Sequence, residues 1–245
     1  MGAKARAAWV FALAAAAGLA GQALLLAERH CSRLEESLRD DFRVVLFLRG
    51  PSDEGKLKVL EEKLRAQPEV GDVRFVSADD ALAALKRDDP ELAESVALVG
   101  DNPLPSAFEV KPAAESLTKL GAWLDSVSRL AEWSDLRYKP GQLQSILRLR
   151  FYARFLRMIV SSLLCLVAAL ALVALLHAPR GVPARRLVAA AALGGVFGAC
   201  LASGIAWPLH RDELLWAVPG PLAELALAAA CASLGWTLSS WRAES

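Results

Sequence analysis

The chain has 245 residues, 55% of them hydrophobic, and a mean hydropathy of +0.34, an apolar share above the roughly 45–50% of ordinary soluble domains. Its 28 Lys and Arg nearly balance its 27 Asp and Glu, so no concentrated basic surface is available and nucleic acid is excluded as a partner. The cysteines, Cys31, Cys165, Cys200 and Cys231, have neither a disulfide framework nor metal-ligand spacing. His30, His177 and His210 sit at the ends of apolar stretches, too dispersed for a catalytic or metal-binding constellation.

The first stretch, 7–27, is free of charge and about the ~20 residues a helix needs to cross a bilayer. It exceeds the ~7–15 residues of a signal-peptide core, and no small-x-small exit follows, so an uncleaved anchor is expected. Charge then dominates from 28 to 141, read as one water-exposed domain. Within it "RVVLFL" (43–48) is a short apolar run ended by Gly50-Pro51, which suits a central strand. Ser52 is placed to cap a helix whose apolar positions are Leu57, Leu60 and Leu64, with Pro68 marking its end. "DVRFVS" (72–77) alternates as a second strand.

Residues 78–105 read as an inserted helical lobe. Ser77 and Asp80 have capping-box spacing, and Ala81, Leu82 and Leu85 share a helix face. Asp89-Pro90 breaks the pattern, and "ELAESVALVG" restarts it with Leu92, Val96, Leu98 and Val99 apolar before Gly100 stops the helix. Pro103 and Pro105 flank Leu104 and enforce an extended chain, so Pro103–Leu104–Pro105 is a hinge returning the chain to the sheet. "AFEVKP" follows as a strand, then a stripe of Leu117, Leu120, Leu124 and Val127, then "DLRYKP" (135–140) with Leu136 and Tyr138 alternating. Two strand-helix-strand units of this kind predict an α+β ferredoxin-like domain, with the segment 40–140 folding alone.

Residues 142–157 mix Leu143, Ile146, Leu147 and Phe151 with Arg148, Arg150, Arg154 and Arg157, and are expected as an interfacial helix at the outer headgroups, or a lever into the next span. Apolar stretches at 158–176, 187–207 and 222–241 complete four predicted transmembrane helices. Gly194 and Gly198 have the G-x-x-x-G spacing that permits close helix approach, a spacing common by chance in Ala/Gly-rich spans. Trp9, Trp207, Trp216 and Trp241 lie at the span borders as an aromatic belt. The short loop 177–186 holds Arg180, Arg185 and Arg186 without an acid, which places it in the cytoplasm with Lys4 and Arg6. Both termini, 1–6 and 242–245, are then inside, while 28–157 and the loop 208–221 are outside.

One resemblance runs through these elements. "VVLFL…LEEKLRAQPEVGDVRFVSADDALAALK…NPLPSAFEVK" is similar to the extracellular domain of the bacterial cell-division FtsX family, ABC-type membrane subunits. The matching positions are Pro68 and Val70, Ser77 with Ala81 and Leu82, and Asn102 to Pro105. The resemblance implies transmission instead of catalysis, with no cofactor. It implies a cytoplasmic FtsE-like ATPase as one partner, a peptidoglycan hydrolase or its activator as the other, a homodimer, and residence in the inner membrane at the division site. By position it makes Leu92, Val96, Leu98 and Val99 the apolar contacts to the envelope partner. The family's longer charged segment before the third span is here reduced to "HAPRGVPARRL", leaving Arg180, Arg185 and Arg186 as the candidates for ATPase coupling.

Two other classes share the topology. A substrate-transporting permease would ordinarily carry ionisable groups deep in its spans, where this chain has only Gln22 and, near a span end, Glu224. A membrane-anchored envelope sensor would need a cytoplasmic output domain. A membrane enzyme is disfavoured because the outer domain has no nucleophile-base pair or metal cluster.

Overall fold

The structure, a computed structural model, describes residues 3–50, 53–97, 102–130, 133–177, 185–208 and 219–240. The chain divides into two compact units, Glu36–Leu147 and the pair of segments Met1–Glu35 and Arg148–Ser245.

The first unit is built on four strands: β1 (Val44–Leu48), β2 (Val70–Val76), β3 (Ala107–Pro112) and β4 (Trp133–Arg137). They lie in the order β2-β3-β1-β4, with every neighbouring pair antiparallel. Just beyond the end of strand β1 comes Gly50, whose φ of 78° is the left-handed turn a glycine makes without strain. Helix α2 (Glu54–Arg65) joins β1 to β2, and a 3-10 turn (Ser116–Lys119) with helix α5 (Leu120–Val127) joins β3 to β4. Each helix therefore connects strands that are not sheet neighbours. The lobe between β2 and β3 holds helices α3 (Ala78–Asp88) and α4 (Pro90–Ala97).

Register explains the core. Phe75 pairs with Phe108, Phe108 with Leu46 and Leu46 with Leu136, while Val73, Val110 and Val44 form a second row. Because side chains alternate along a strand, both rows lie on one face. That face buries Val44, Leu46, Leu48, Val73, Phe108 and Val110 against Leu64 of α2 and Leu117, Leu120, Trp123 and Val127. The opposite face pairs Arg74 with Glu109 and leaves Val45 and Phe47 half-buried. Two indoles are tied down by their N–H groups: Trp123 Nε1 donates to Gln67 Oε1 (2.6 Å), and Trp133 Nε1 to the Val127 carbonyl (2.8 Å).

Several sequence expectations shift at their edges. Helix α2 stops at Arg65, ahead of Pro68, and β4 runs Trp133–Arg137, so Tyr138 falls beyond it. The core is also larger than 40–140 supplies, because Ile146 is buried in it and Leu38, Leu143 and Leu147 pack against it. Ser52, expected as a cap, and Gly100, expected as a stop, lie outside the described residues.

The second unit is helical. It contains α1 (Ala3–Asp41) as far as Glu35, α6 (Pro140–His177) from Arg148 onward, α7 (Arg185–Ala206) and α8 (Pro221–Ser240). Among the described residues three helices, α1, α6 and α7, are long and apolar enough to cross a membrane; α8 carries a shorter apolar stretch, Pro221–Thr237. The expected interfacial helix 142–157 is not a separate element. It continues without a turn into 158–176 as α6, because no Gly or Pro interrupts the chain between Gly141 and His177.

Candidate partner-binding site

The lobe is held at its base by short polar contacts. Ser77 caps α3: its Oγ accepts from the Asp80 N–H (3.1 Å), the N-cap half of the capping box its spacing predicts, and donates to Asp80 Oδ2 (2.7 Å), so that the Asp80 carboxylate takes the Ser77 hydroxyl and not its backbone N–H. Asp89, between the helices, caps α4 by accepting from the Leu92 N–H at 3.0 Å. Inside the lobe Ala93 is the buried anchor of α4, at 2% exposure.

Leu92, the neighbour of Ala93, points outward and is 50% exposed. Val96 is half-buried. Leu98 and Val99 lie outside the described residues. The lobe thus sorts the predicted contacts: Leu92 presents apolar surface, and Val96 borders it.

The proline hinge is clasped. Pro103 and Pro105 are exposed and Leu104 is half-buried. Asn102 donates through Nδ2 to the Ala78 carbonyl (2.8 Å), and its Oδ1 accepts from the Leu104 N–H (3.1 Å). One side chain therefore fastens the chain entering β3 to the first turn of α3, closing the lobe at its neck. The sequence contained this residue within "NPLP", but only the fold brings positions 78 and 102 together.

Two ion pairs join α1 and α6 in the helical unit. Arg150 donates through Nε (3.2 Å) and Nη2 (2.6 Å) to Glu35 Oε1, and Arg157 through Nε (3.0 Å) and Nη2 (2.5 Å) to Glu28 Oε1. Glu28 is buried at 7% exposure. Arg150 and Arg157, two of the four arginines between 148 and 157, are thus partners of acids on α1. The usable signal is the shared seven-residue spacing, Glu28 to Glu35 and Arg150 to Arg157, which keeps each set on one helix face.

The G-x-x-x-G pair, a weak signal in sequence, is occupied by packing. A methyl group added at Gly198 would fall on the Ala15 carbonyl of α1, and one at Gly194 on the Phe11 carbonyl. Gly195 faces α8 instead, where an added carbon would stand 2.5 Å from Cys231 Cβ. Backbone-to-backbone approach of this kind is how helices associate where water supplies no hydrophobic drive.

Of the candidate coupling residues, Arg185 and Arg186 open α7 and Arg185 and Arg186 are exposed, while Arg180 lies outside the described residues. Among the described residues no group of His, Cys, Asp and Glu could hold a metal ion.

A small antiparallel sheet domain that stands in the chain between two long apolar helices, with a capped lobe on which Leu92 is exposed, defines a membrane protein with a folded domain between its helices. Residues 41–149 match the FtsX extracellular domain, from the last residue of α1 into α6. The match supports the FtsX family of cell-division membrane proteins. Members are generally non-catalytic, permease-like ABC subunits that work with an FtsE ATPase at the inner membrane. No curated protein matches the chain.

Proposed function

We propose that this protein is a non-catalytic relay, which passes a cytoplasmic signal to an extracytoplasmic peptidoglycan hydrolase or its activator during division. The observation that carries the reading is the FtsX extracellular domain at 41–149, with an inserted lobe whose α4 anchors through Ala93 and exposes Leu92. In this reading the sheet domain is ferredoxin-like, a description supported by its antiparallel order β2-β3-β1-β4 and its two crossover helices. Helix α8, 20 residues long, is the fourth span. Both termini are cytoplasmic, and 28–141 faces outward. The partners are an FtsE-like ATPase inside, reached through the loop that includes Arg180 and through Arg185 and Arg186, an envelope hydrolase or adaptor outside, and a second copy of the chain. The protein acts at the division site.

A membrane pull-down scored for an ATPase and for a cell-wall hydrolase or adaptor identifies the partners. Leu92→Asp and Val96→Asp in the full chain should then weaken envelope-partner binding by about thirtyfold, the size of an interface hot spot, with the melting temperature kept. Equal loss of binding and melting temperature would make these residues core. Unchanged binding would move the partner surface elsewhere. Orientation has its own test: Gly55→Cys should react with an impermeant thiol reagent in intact cells, and reaction only after permeabilisation would reverse the assignment.

A further inference from the structure

The helical unit contains a cavity of about 790 Å³ among α1, α7 and α8, within the ~300–1,000 Å³ of small-molecule sites. Its wall is mostly apolar, with Leu225 and Leu227 prominent, and three polar side chains enter it: Gln22, Ser203 and Glu224. Gln22 is 3% exposed. Its Nε2 donates to Ser203 Oγ at 3.2 Å, while its Oε1 is buried and has no hydrogen-bond partner among the described residues. An orphaned buried carbonyl is costly and calls for a donor from outside the chain. Glu224, in the first turn of α8, is exposed and forms no ion pair among the described residues. Among the described residues no Lys or Arg lines the cavity.

The polar complement is therefore a carbonyl and a carboxylate, both acceptors, joined by a hydroxyl on an apolar wall. This set selects a ligand with N–H donors, a positive charge and an apolar body. An anionic head meets the Glu224 carboxylate, and a quaternary ammonium has no N–H for Gln22. Depth agrees with a lipid: Gln22 lies near the charged end of the stretch 7–27, Trp207 follows the apolar run of α7, and Glu224 opens α8. Polar heads and amphipathic indoles meet at such a boundary. We propose that this cavity binds an amphiphile with a primary ammonium head, an aminophospholipid such as phosphatidylethanolamine, with its head on Gln22 and Glu224 and its chains along Leu225 and Leu227. The proposal rests on membrane placement of these helices and is independent of the relay.

The test uses the full chain purified in detergent and titrated, by native mass spectrometry, with phosphatidylethanolamine, phosphatidylcholine and phosphatidylglycerol of identical acyl chains. Free phosphoethanolamine serves as the head alone. Phosphatidylethanolamine should bind about tenfold tighter than the other two lipids, the worth of a charge-assisted hydrogen bond. Gln22→Leu should bring it down to the phosphatidylcholine level. Glu224→Gln should do the same, and because Glu224 is exposed that variant keeps the test decisive if Gln22→Leu misfolds. Equal binding of all three lipids, or a preference retained in the folded variants, overturns the proposal and leaves water as the partner of Gln22. Tighter phosphatidylglycerol binding refutes the ammonium class. Free phosphoethanolamine binding as tightly as the lipid refutes the amphiphile.

Discussion

Phe108→Ala tests the registered core where it is densest. Phe108 is fully buried at 0% exposure, its ring 5.3 Å from that of Phe75 and 6.4 Å edge-on to that of Trp133. Losing the buried phenyl forfeits about 1.5–3 kcal/mol of transfer free energy. Its neighbours come from β2, β1 and β4, held in register, so they cannot fully collapse into the gap. A residual void on the order of 50 Å³ adds about 1.2 kcal/mol at ~24 cal/mol per Å³. Loss of the aromatic pairs contributes a further ~0.5–1.5 kcal/mol. The expected destabilisation is about 3–5 kcal/mol, a large share of the ~5–15 kcal/mol that holds a domain together. The assay is urea unfolding of the segment 36–147 followed by tryptophan fluorescence, since Trp123 is a core residue and Trp133 packs against the core. Val59→Ala is the control: Val59 is 52% exposed and should change stability by no more than about 0.5 kcal/mol. A Phe108→Ala loss below about 1 kcal/mol, with the same m-value, would refute the packing deduced from register.

Arg150→Ala should lower the melting temperature of the detergent-solubilised chain, because breaking a buried pair typically costs ~3–5 kcal/mol, and Glu35 and Arg150 are each only 14% exposed. The reversed pair Glu35→Arg with Arg150→Glu should recover part of that loss, and no recovery would mean that the pair itself is unimportant. Gly198→Leu should destabilise the helical unit by more than the ~1–3 kcal/mol of ordinary overpacking, whereas Gly204→Leu, with open space beside it, should be tolerated; equal tolerance of both would remove Gly198 from the seam. The Asp135 carboxyl should titrate below the usual carboxylate range because Arg137 hydrogen-bonds it, aided by the Leu136 N–H. A depressed native pKa means that its contribution to stability is present above the unfolded value and is lost as pH falls through the native one. An NMR titration in which Arg137→Ala leaves the Asp135 pKa unmoved would contradict this cause.

Legibility followed range along the chain. The strand "AFEVKP" is found at Ala107–Pro112 because alternation is local, and Ser77 caps α3 because a capping box spans only a few residues. Phe42 and Ile146 were not assigned to the core, since their burial depends on segments about a hundred residues apart meeting. Asn102 and the Glu28–Arg157 and Glu35–Arg150 pairs were hidden for the same reason: each residue type is ordinary, and only its distant partner gives it a task. Leu92 was legible as apolar but not as exposed, because a helix stripe does not reveal which positions its neighbours will cover. Gln22 was visible as a polar residue in an apolar span, yet the orphaned oxygen that gives it meaning belongs to the packing of three helices.

The two ends of the sheet domain finish side by side: Gln142 at the start of α6 donates to the Leu38 carbonyl near the end of α1, at 2.8 Å. A domain whose entry and exit coincide is an exchangeable cassette, since any replacement with equally close termini can be spliced in without stretching the helices that carry it. Evolution can therefore change the cassette or its lobe while the long apolar helices keep their seams and ion pairs. The same property makes chimaeras practical: a foreign domain with adjacent termini, joined at 36 and 147, should leave the helical unit assembled.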